Sequence, residues 1–105
     1  MRLKGGFILI HINKLGFDNI SVDDLEEYKP LFREIIDKNI KKPLIIEFNK
    51  SLYLIPFCNI DGSFLSYFYS QVYVNEGAIV SADSAEIIYN KATDEITYNY
   101  GMYEQ

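Results

Sequence analysis

The sequence predicts an α+β fold: one strand, a broken helix and then an antiparallel meander of four to six strands, with the helix packed on one face of a curved sheet. The dipeptide Asp61-Gly62 separates two runs rich in β-branched and aromatic residues, which indicates a β-hairpin. Apolar residues recur at helical spacing within residues 22–39, which indicates one helical region. Nine tyrosines and seven phenylalanines favour strands elsewhere.

The N-terminal half supplies a strand and the helix. Residues 7–12 are apolar on both faces, which is typical of an inner strand. Ser21 is a favourable N-cap, and the carboxylates that follow it complement the positive end of the helix dipole. Pro30 removes a backbone donor, so we expect either a kinked helix or two pieces, the second opening at Pro30. Residues 44–48 are predicted to form a short strand.

The C-terminal third is predicted to consist of strands, with one segment left open. Residues 78–80 are a strand. Residues 81–90 fit either a short helix or a further strand, and we favour a second hairpin, in which residues 87–89 and 96–100 flank a loop of four or five residues. Residues 101–105 are expected to be a frayed tail.

A chain of this length is predicted to form a single domain, residues 1–105. The order of strand, helix and meander is similar to that of cystatin-like and related curved-sheet folds. This similarity concerns topology and involves no sequence motif, so it implies a fold and no function.

Composition and charge indicate which kinds of partner are disfavoured and in which cellular compartment the protein is expected. The formal net charge of −5 disfavours binding to a nucleic-acid backbone, which rewards lysine and arginine beside phosphates. The single cysteine, Cys58, cannot form an internal disulfide, and this fits a reducing compartment. No apolar stretch approaches the roughly 20 residues that a membrane-spanning helix needs. We therefore expect a cytoplasmic protein that binds neither nucleic acid nor a membrane.

Both faces of the central hairpin are apolar, so the second face needs a cover. A two-residue turn at Asp61-Gly62 places Ile55 opposite Phe68, whereas a bulged turn would change which residues share a face. One helix, about 10 Å across, covers one face of a five-stranded sheet but not two. The tyrosine-rich face is the predicted protein-binding face, since buried hydroxyls need partners and such rings are enriched at interfaces. This face comprises Leu65, Tyr67, Tyr69 and Tyr73. The alternative is that it forms the more polar side of an ordinary core.

His11 and Cys58 are the candidates for chemistry. For His11, in a predicted inner strand, a hydrogen-bonded structural histidine is the simpler interpretation and a general acid–base role is the alternative. Cys58 fits a small buried hydrophobe, unless His11 lies beside it and activates the thiol. One histidine and one cysteine cannot form a zinc site within the chain, and no pattern indicates another metal or a cofactor.

Three functional hypotheses follow. In the first, this is a non-catalytic protein-interaction module, of inhibitor, immunity or adaptor type, that binds a protein partner or a second copy through its aromatic sheet face. In the second, it is a small-ligand-binding protein or small enzyme, with a pocket between helix and sheet lined by His11 and Cys58. In the third, it is a structural subunit of a larger assembly. The sequence favours the first, because an uncovered apolar face on an acidic domain suits protein binding.

Overall fold

In the described part of the chain, eight strands in two four-stranded sheets, together with one broken helix, form the α+β fold that the sequence predicts. The computed structural model describes residues 2–104, with side chains from residue 5 onward. The first sheet contains β1 (Arg2–Lys4), β2 (Phe7–His11), β3 (Leu44–Glu47) and β4 (Leu52–Ile55), in that order. The second sheet contains β5 (Phe57–Asp61), β6 (Phe64–Asn75), β7 (Ala78–Asn90) and β8 (Glu95–Glu104), also in sequence order.

The second sheet has four antiparallel strands in sequence order, whereas the first sheet contains a parallel pair. Strands β2 and β3 are parallel, with Ile8 opposite Leu44, and the helical region crosses between them. A parallel pair requires such a crossover, because the chain must return to the same end of the sheet before the next strand begins. All other strand pairs are antiparallel.

The helix is broken, as Pro30 predicts. It consists of α1 (Val22–Leu25), a 3-10 turn (Glu26–Tyr28) and α2 (Lys29–Asp37). Pro30 is near the start of α2, where the missing backbone N–H costs no helical hydrogen bond. At the start of α1, the backbone N–H of Ser21 donates to Asp24 Oδ2 at 2.9 Å, which closes the predicted capping arrangement.

The apolar run before the central turn is split between the two sheets. Ile55 pairs with Leu44 at the end of the first sheet, and Phe57 pairs with Phe68 at the start of the second. Pro56 lies between them and has no backbone N–H to donate to a ladder, so the pairing changes partner there. The single sheet expected from the sequence is therefore divided at Pro56.

The central hairpin turns one residue later than predicted. Asp61 pairs with Phe64, so Gly62 and Ser63 form the turn, and Gly62 has a φ of 59°. This moves the register by two residues, and Phe57 instead of Ile55 stands opposite Phe68. Because side chains alternate with a period of two, the residues that share each face are unchanged.

Residues 78–90, part of which the sequence left open, form one continuous strand, β7. The following loop spans residues 91–94, and β8 then pairs with β7 along its whole length. The expectation of a frayed tail is wrong for residues 101–104, since Gly101 pairs with Ser84 and Glu104 with Ser81. Residues 81–84 extend β7 far enough to offer these partners, and residue 105 lies outside the described residues.

One hydrophobic core lies between the helix and the inner faces of both sheets. The phenyl ring of Phe32 on α2 is 6.1 Å from the ring of Tyr89 on β7, centroid to centroid. The side chains that are at most 2% exposed include Ile8, Ile10, Leu25, Phe32, Ile35, Leu44, Ile46, Ile55, Leu65, Tyr67, Ile87 and Tyr89. Among residues 2–104, no helix has the length and apolar character needed to cross a membrane.

Candidate functional site

Most of the tyrosine-rich face faces the core. Leu65, Tyr67 and Tyr69 are 1%, 0% and 8% exposed, whereas Tyr73, further along β6, is 46% exposed. Protein binding by this face stays a prediction, but within this fold only Tyr73 of the four offers a surface to a partner.

The buried tyrosines satisfy their hydroxyls inside the chain. Tyr67 donates to the backbone carbonyl of Lys42 at 2.8 Å, and Tyr69 donates to Gln71 Oε1 at 2.5 Å. Burial raises the pKa of Tyr67 far above its ordinary value and raises the pKa of Tyr69 to about 12. Both hydroxyls therefore stay protonated donors, so these side chains need no second molecule.

The opposite side of the second sheet, here called the outer face, leaves large apolar side chains in solvent. Phe57, Phe64 and Phe68 are 62%, 49% and 38% exposed, and the rings of Phe57 and Phe68 lie 6.4 Å apart. Alternation along β6 continues this stripe to Val72 and Val74, which are 50% and 61% exposed. The apolar face that lacks a cover is therefore the phenylalanine and valine side of the hairpin.

Beyond the core, the second sheet continues as a three-stranded extension, here called the distal arm (residues 70–84 and 101–104). Strand β5 pairs with β6 only as far as Phe68, so within the described chain the rest of β6 pairs on one side only, with β7. The molecule measures 45 × 29 × 27 Å. The large apolar side chains of the arm that are at least 36% exposed are Val72, Tyr73, Val74, Ile79, Val80, Met102 and Tyr103.

Each face of the distal arm has a shallow trough. One, of about 320 Å³, includes Ser70, Ser84, Gly101 and Tyr103 in its lining. Ser70, Ser84 and Gly101 are directly opposite one another on three adjacent strands, so a row of small side chains forms the floor. The other trough, of about 190 Å³, includes Tyr73 and residues of β7 and β8.

Charge is distributed unevenly along the chain. Residues 1–50 carry eight acidic and nine basic side chains, whereas residues 51–105 carry seven acidic side chains and one basic one, Lys91. Of those seven acids, Asp94 in the loop between β7 and β8 is the one that takes part in an ion pair among the described residues. The outer face and the distal arm are therefore apolar surfaces surrounded by unneutralised negative charge.

His11 is at the end of β2, and its side chain is 54% exposed. Its Nδ1 lies 3.4 Å from Oε1 of Glu47, the residue opposite it on β3. Tyr28 donates to the His11 carbonyl at 2.6 Å and accepts from its backbone N–H at 3.1 Å. Neither trough of the distal arm is lined by His11.

Cys58 lies on β5 and is half-buried. Its Sγ donates to the backbone carbonyl of Ile40 at 3.9 Å, and burial raises the pKa of the thiol, which disfavours the nucleophilic thiolate. His11 contacts Tyr28 and Glu47 whereas Cys58 contacts the carbonyl of Ile40, and the two residues belong to different sheets. Among the described residues, no group of three or more histidine, cysteine or carboxylate side chains is placed to hold a metal ion.

Comparison with protein-family models, with curated proteins and with solved structures gave no match to this chain. The functional proposal therefore depends on the surface itself.

The sequence predicted an apolar face without a cover and placed Leu65, Tyr67 and Tyr69 on it, whereas in this fold these three side chains are buried. Periodicity shows which residues share a face, and it does not show which face the helix covers. The sequence did contain one signal for this surface. No basic residue occurs between Lys50 and Lys91, so the charged side chains on this part of the second sheet are all acidic.

Proposed function

We propose that this protein is a non-catalytic protein-interaction module that binds a protein partner through the outer face and distal arm of its second sheet. The observation that carries the proposal is the distal arm, where exposed apolar side chains occur on both faces of a three-stranded sheet. Contiguous apolar patches of this kind mark interaction sites on folded proteins.

The composition of the surface supports a protein partner. Interfaces are enriched in aromatic side chains and methionine at their centres. Phe57, Phe68, Tyr73, Tyr103 and Met102 supply these types, and each is at least 38% exposed. Their exposure in the free chain leaves them available to form the buried centre of an interface.

Charge favours a partner different from this chain. Two copies that meet through the second sheet would bring together surfaces of the same sign, and like-charge juxtaposition opposes association. A partner with a basic surface would instead be attracted and would associate faster. We therefore expect the purified protein to be a monomer of about 12.2 kDa by light scattering.

The test compares a variant of the arm with a matched control. Val72→Ser combined with Val74→Ser removes exposed apolar area from β6, and Leu15→Ser removes it from a loop elsewhere; Leu15 and Val74 are both 61% exposed. Each of the three proteins is immobilised and exposed to an extract of the cells that naturally produce the wild type. The proteins that each one retains are then compared. The proposal expects a protein retained by the wild type and the Leu15 variant, with retention reduced at least about tenfold by the arm variant. Equal retention by all three would refute it.

A further inference from the structure

Strand β8 is an open edge of the second sheet. It spans ten residues and, within residues 2–104, pairs only with β7. Across the described chain, no backbone hydrogen bond joins residues 95–104 to a segment outside this hairpin. An edge strand presents unpaired N–H and C=O groups that can pair with a further strand.

The edge lacks the sequence features that usually block strand addition. Natural edge strands are protected by lysine, proline, bulges, inward-pointing charges or short length. Residues 96–103 read Ile-Thr-Tyr-Asn-Tyr-Gly-Met-Tyr, with no charge and no proline. The one register shift in this sheet lies between β6 and β7, away from this edge.

Acidic side chains surround the same edge. Glu95 and Glu104 are the first and last residues of β8, and both are exposed. On the adjacent strand, Glu86 is opposite Asn99. Glu86 accepts a hydrogen bond from Ser66 on β6, so the negative charges at the edge itself are those of Glu95 and Glu104 at its two ends.

The loop before α1 adds to this charge. The hydroxyl of Tyr98 on β8 donates to the backbone carbonyl of Phe17 at 2.6 Å, so the exposed Asp18, the next residue, lies near this hydroxyl. None of the ion pairs in the described chain involves Asp18, Glu86, Glu95 or Glu104. A strand that adds here meets an acidic field that the protein itself does not neutralise.

The acidic side chains at the edge disfavour a second copy of this chain as its occupant and favour a strand that carries basic residues. If a second copy added its own β8 in an antiparallel register centred between Asn99 and Tyr100, Glu95 would be opposite Glu104 at both ends. Like charges directly opposite each other on paired strands are destabilising. A strand with lysine or arginine would instead be stabilised by the same residues.

From this complementarity we propose that the β8 edge binds an extended, lysine- or arginine-bearing segment of a protein partner as an additional antiparallel or parallel strand. This inference rests on the proposed function and names the chemistry of the partner. Main-chain hydrogen bonds to residues 96–103 supply affinity, and side chains at alternate positions supply specificity. The trough at Gly101 gives one such side chain a place to pack. A Cβ built on Gly101 meets only Ser84 Oγ at 3.7 Å, so the floor is open there.

The probe is a synthetic peptide of about eight residues that alternates valine and lysine, which matches the length of the uncharged run in β8. A second peptide replaces lysine with glutamate. A third keeps the lysines and replaces valine with proline, so that it has the same charge but cannot pair as a strand. Affinity is measured by titration, and hydrogen exchange locates the protected amides.

Two charge-reversal variants with the same change in net charge locate the site. Glu95→Lys with Glu104→Lys alters the ends of β8, whereas Asp61→Lys with Glu76→Lys alters one acid on β5 and one in the turn between β6 and β7. All four positions are exposed, and circular dichroism checks that both variants fold. The β8 variant should weaken binding of the valine–lysine peptide at least about tenfold more than the control variant does.

The proposal predicts that the valine–lysine peptide binds and protects amides within residues 96–103, and that the glutamate and proline peptides bind at least about tenfold more weakly. Equal binding of the proline peptide would show charge attraction without strand pairing and would overturn the proposal. Equal weakening by the two variants, or protection elsewhere, would also overturn it. So would a dimer by light scattering whose β8 amides are protected without peptide, because the occupant would then be a second copy.

These results separate this inference from the proposed function. The peptide could fail to bind while the double variant Val72→Ser and Val74→Ser still retains less of a partner protein than the wild type. In that case the proposed interaction module stands and the strand-addition site is rejected. If the peptide binds β8 and no protein depends on the arm, the edge is a binding site and the proposed use of the arm fails.

Discussion

Tyrosine hydroxyls join the rim of the core to polar groups at its edge. Tyr67 donates to the carbonyl of Lys42, Tyr98 donates to the carbonyl of Phe17, and Tyr89 donates to Asp94 Oδ1 at 2.7 Å. Each ring is buried or partly buried while its hydroxyl reaches a polar atom at the edge of the core. This is how a sheet face with so many tyrosines can pack inside a single chain.

Replacement of Tyr67 by Phe tests this role at one residue. The variant keeps the ring and removes the donor, which leaves the Lys42 carbonyl without its partner. We expect the free energy of unfolding in urea to fall by about 1 kcal/mol. Tyr103→Phe, at a side chain that is 52% exposed, should leave it unchanged. A Tyr67→Phe protein as stable as the wild type would show that this hydrogen bond contributes nothing net.

Asp24 gives the fold a dependence on pH. The backbone hydrogen bond from Ser21 lowers the pKa of the Asp24 carboxyl, and the charge of Lys14 lowers it further. A carboxyl whose pKa is lower in the folded state stabilises the fold above its unfolded pKa, and the stabilisation is lost as the pH falls through the folded pKa. The wild type should therefore lose more stability than Asp24→Asn between about pH 6 and about pH 2. Urea unfolding across this range measures the difference, and identical pH profiles would contradict the assignment.

At the scale of elements, helix α2 joins the two halves of the protein by burying its apolar side against both sheets. Phe32 is fully buried among them. Arg33 on the same helix donates to the hydroxyl of Tyr89 at 3.1 Å and to Asp94 at 2.9 Å, and Lys91 pairs with Asp37. The helix is thus fixed to the second sheet by packing in the core and by charged contacts at its margin.

Truncation of two phenylalanines distinguishes the covered face from the outer face. Phe32→Ala should lower the free energy of unfolding by about 3–5 kcal/mol, since it removes a buried ring and leaves a cavity. Phe64→Ala makes the same chemical change at a side chain that is 49% exposed, and it should cost less than about 1 kcal/mol. Chemical denaturation measures both variants, and similar losses would mean that Phe64 is covered in solution.

The elements themselves could largely be predicted from the sequence, because their signals are local. Ser21 and Pro30 predict where the broken helix starts and divides, and Asp61-Gly62 predicts the central hairpin to within one residue. The parallel pairing of β2 with β3 could not be predicted in this way, since it depends on the path of the chain through the helix. The division at Pro56 could also not be predicted, because an edge position would have tolerated the proline equally well.

At the scale of the whole molecule, the predicted binding face and the actual exposed face differ because coverage is a property of the assembled fold. Leu65 and Phe64 are neighbours on one strand, and only the position of the helix decides that one is buried and the other is not. The distal arm extends this contrast, because there the second sheet continues past the helix and both of its faces are open. The second sheet, which includes the outer face and the arm, also carries nearly all of the excess of acidic over basic side chains.

The arm should open more readily than the rest of the second sheet. Its strands have few buried neighbours, and such regions have low local stability. In native-state hydrogen exchange, amides of residues 70–75 should exchange faster than those of residues 64–69, although both belong to β6. Uniform protection along β6 in a monomeric sample would contradict this expectation.

Site-specific photo-crosslinking in cells that produce the protein tests the binding surface most directly. A photo-reactive amino acid replaces Val74 in one protein and Leu15 in another, at positions that are equally exposed. The account predicts a discrete adduct with another protein from position 74 and no such adduct from position 15. Adducts of equal yield from both positions, or none from position 74, would contradict a binding role for the second sheet.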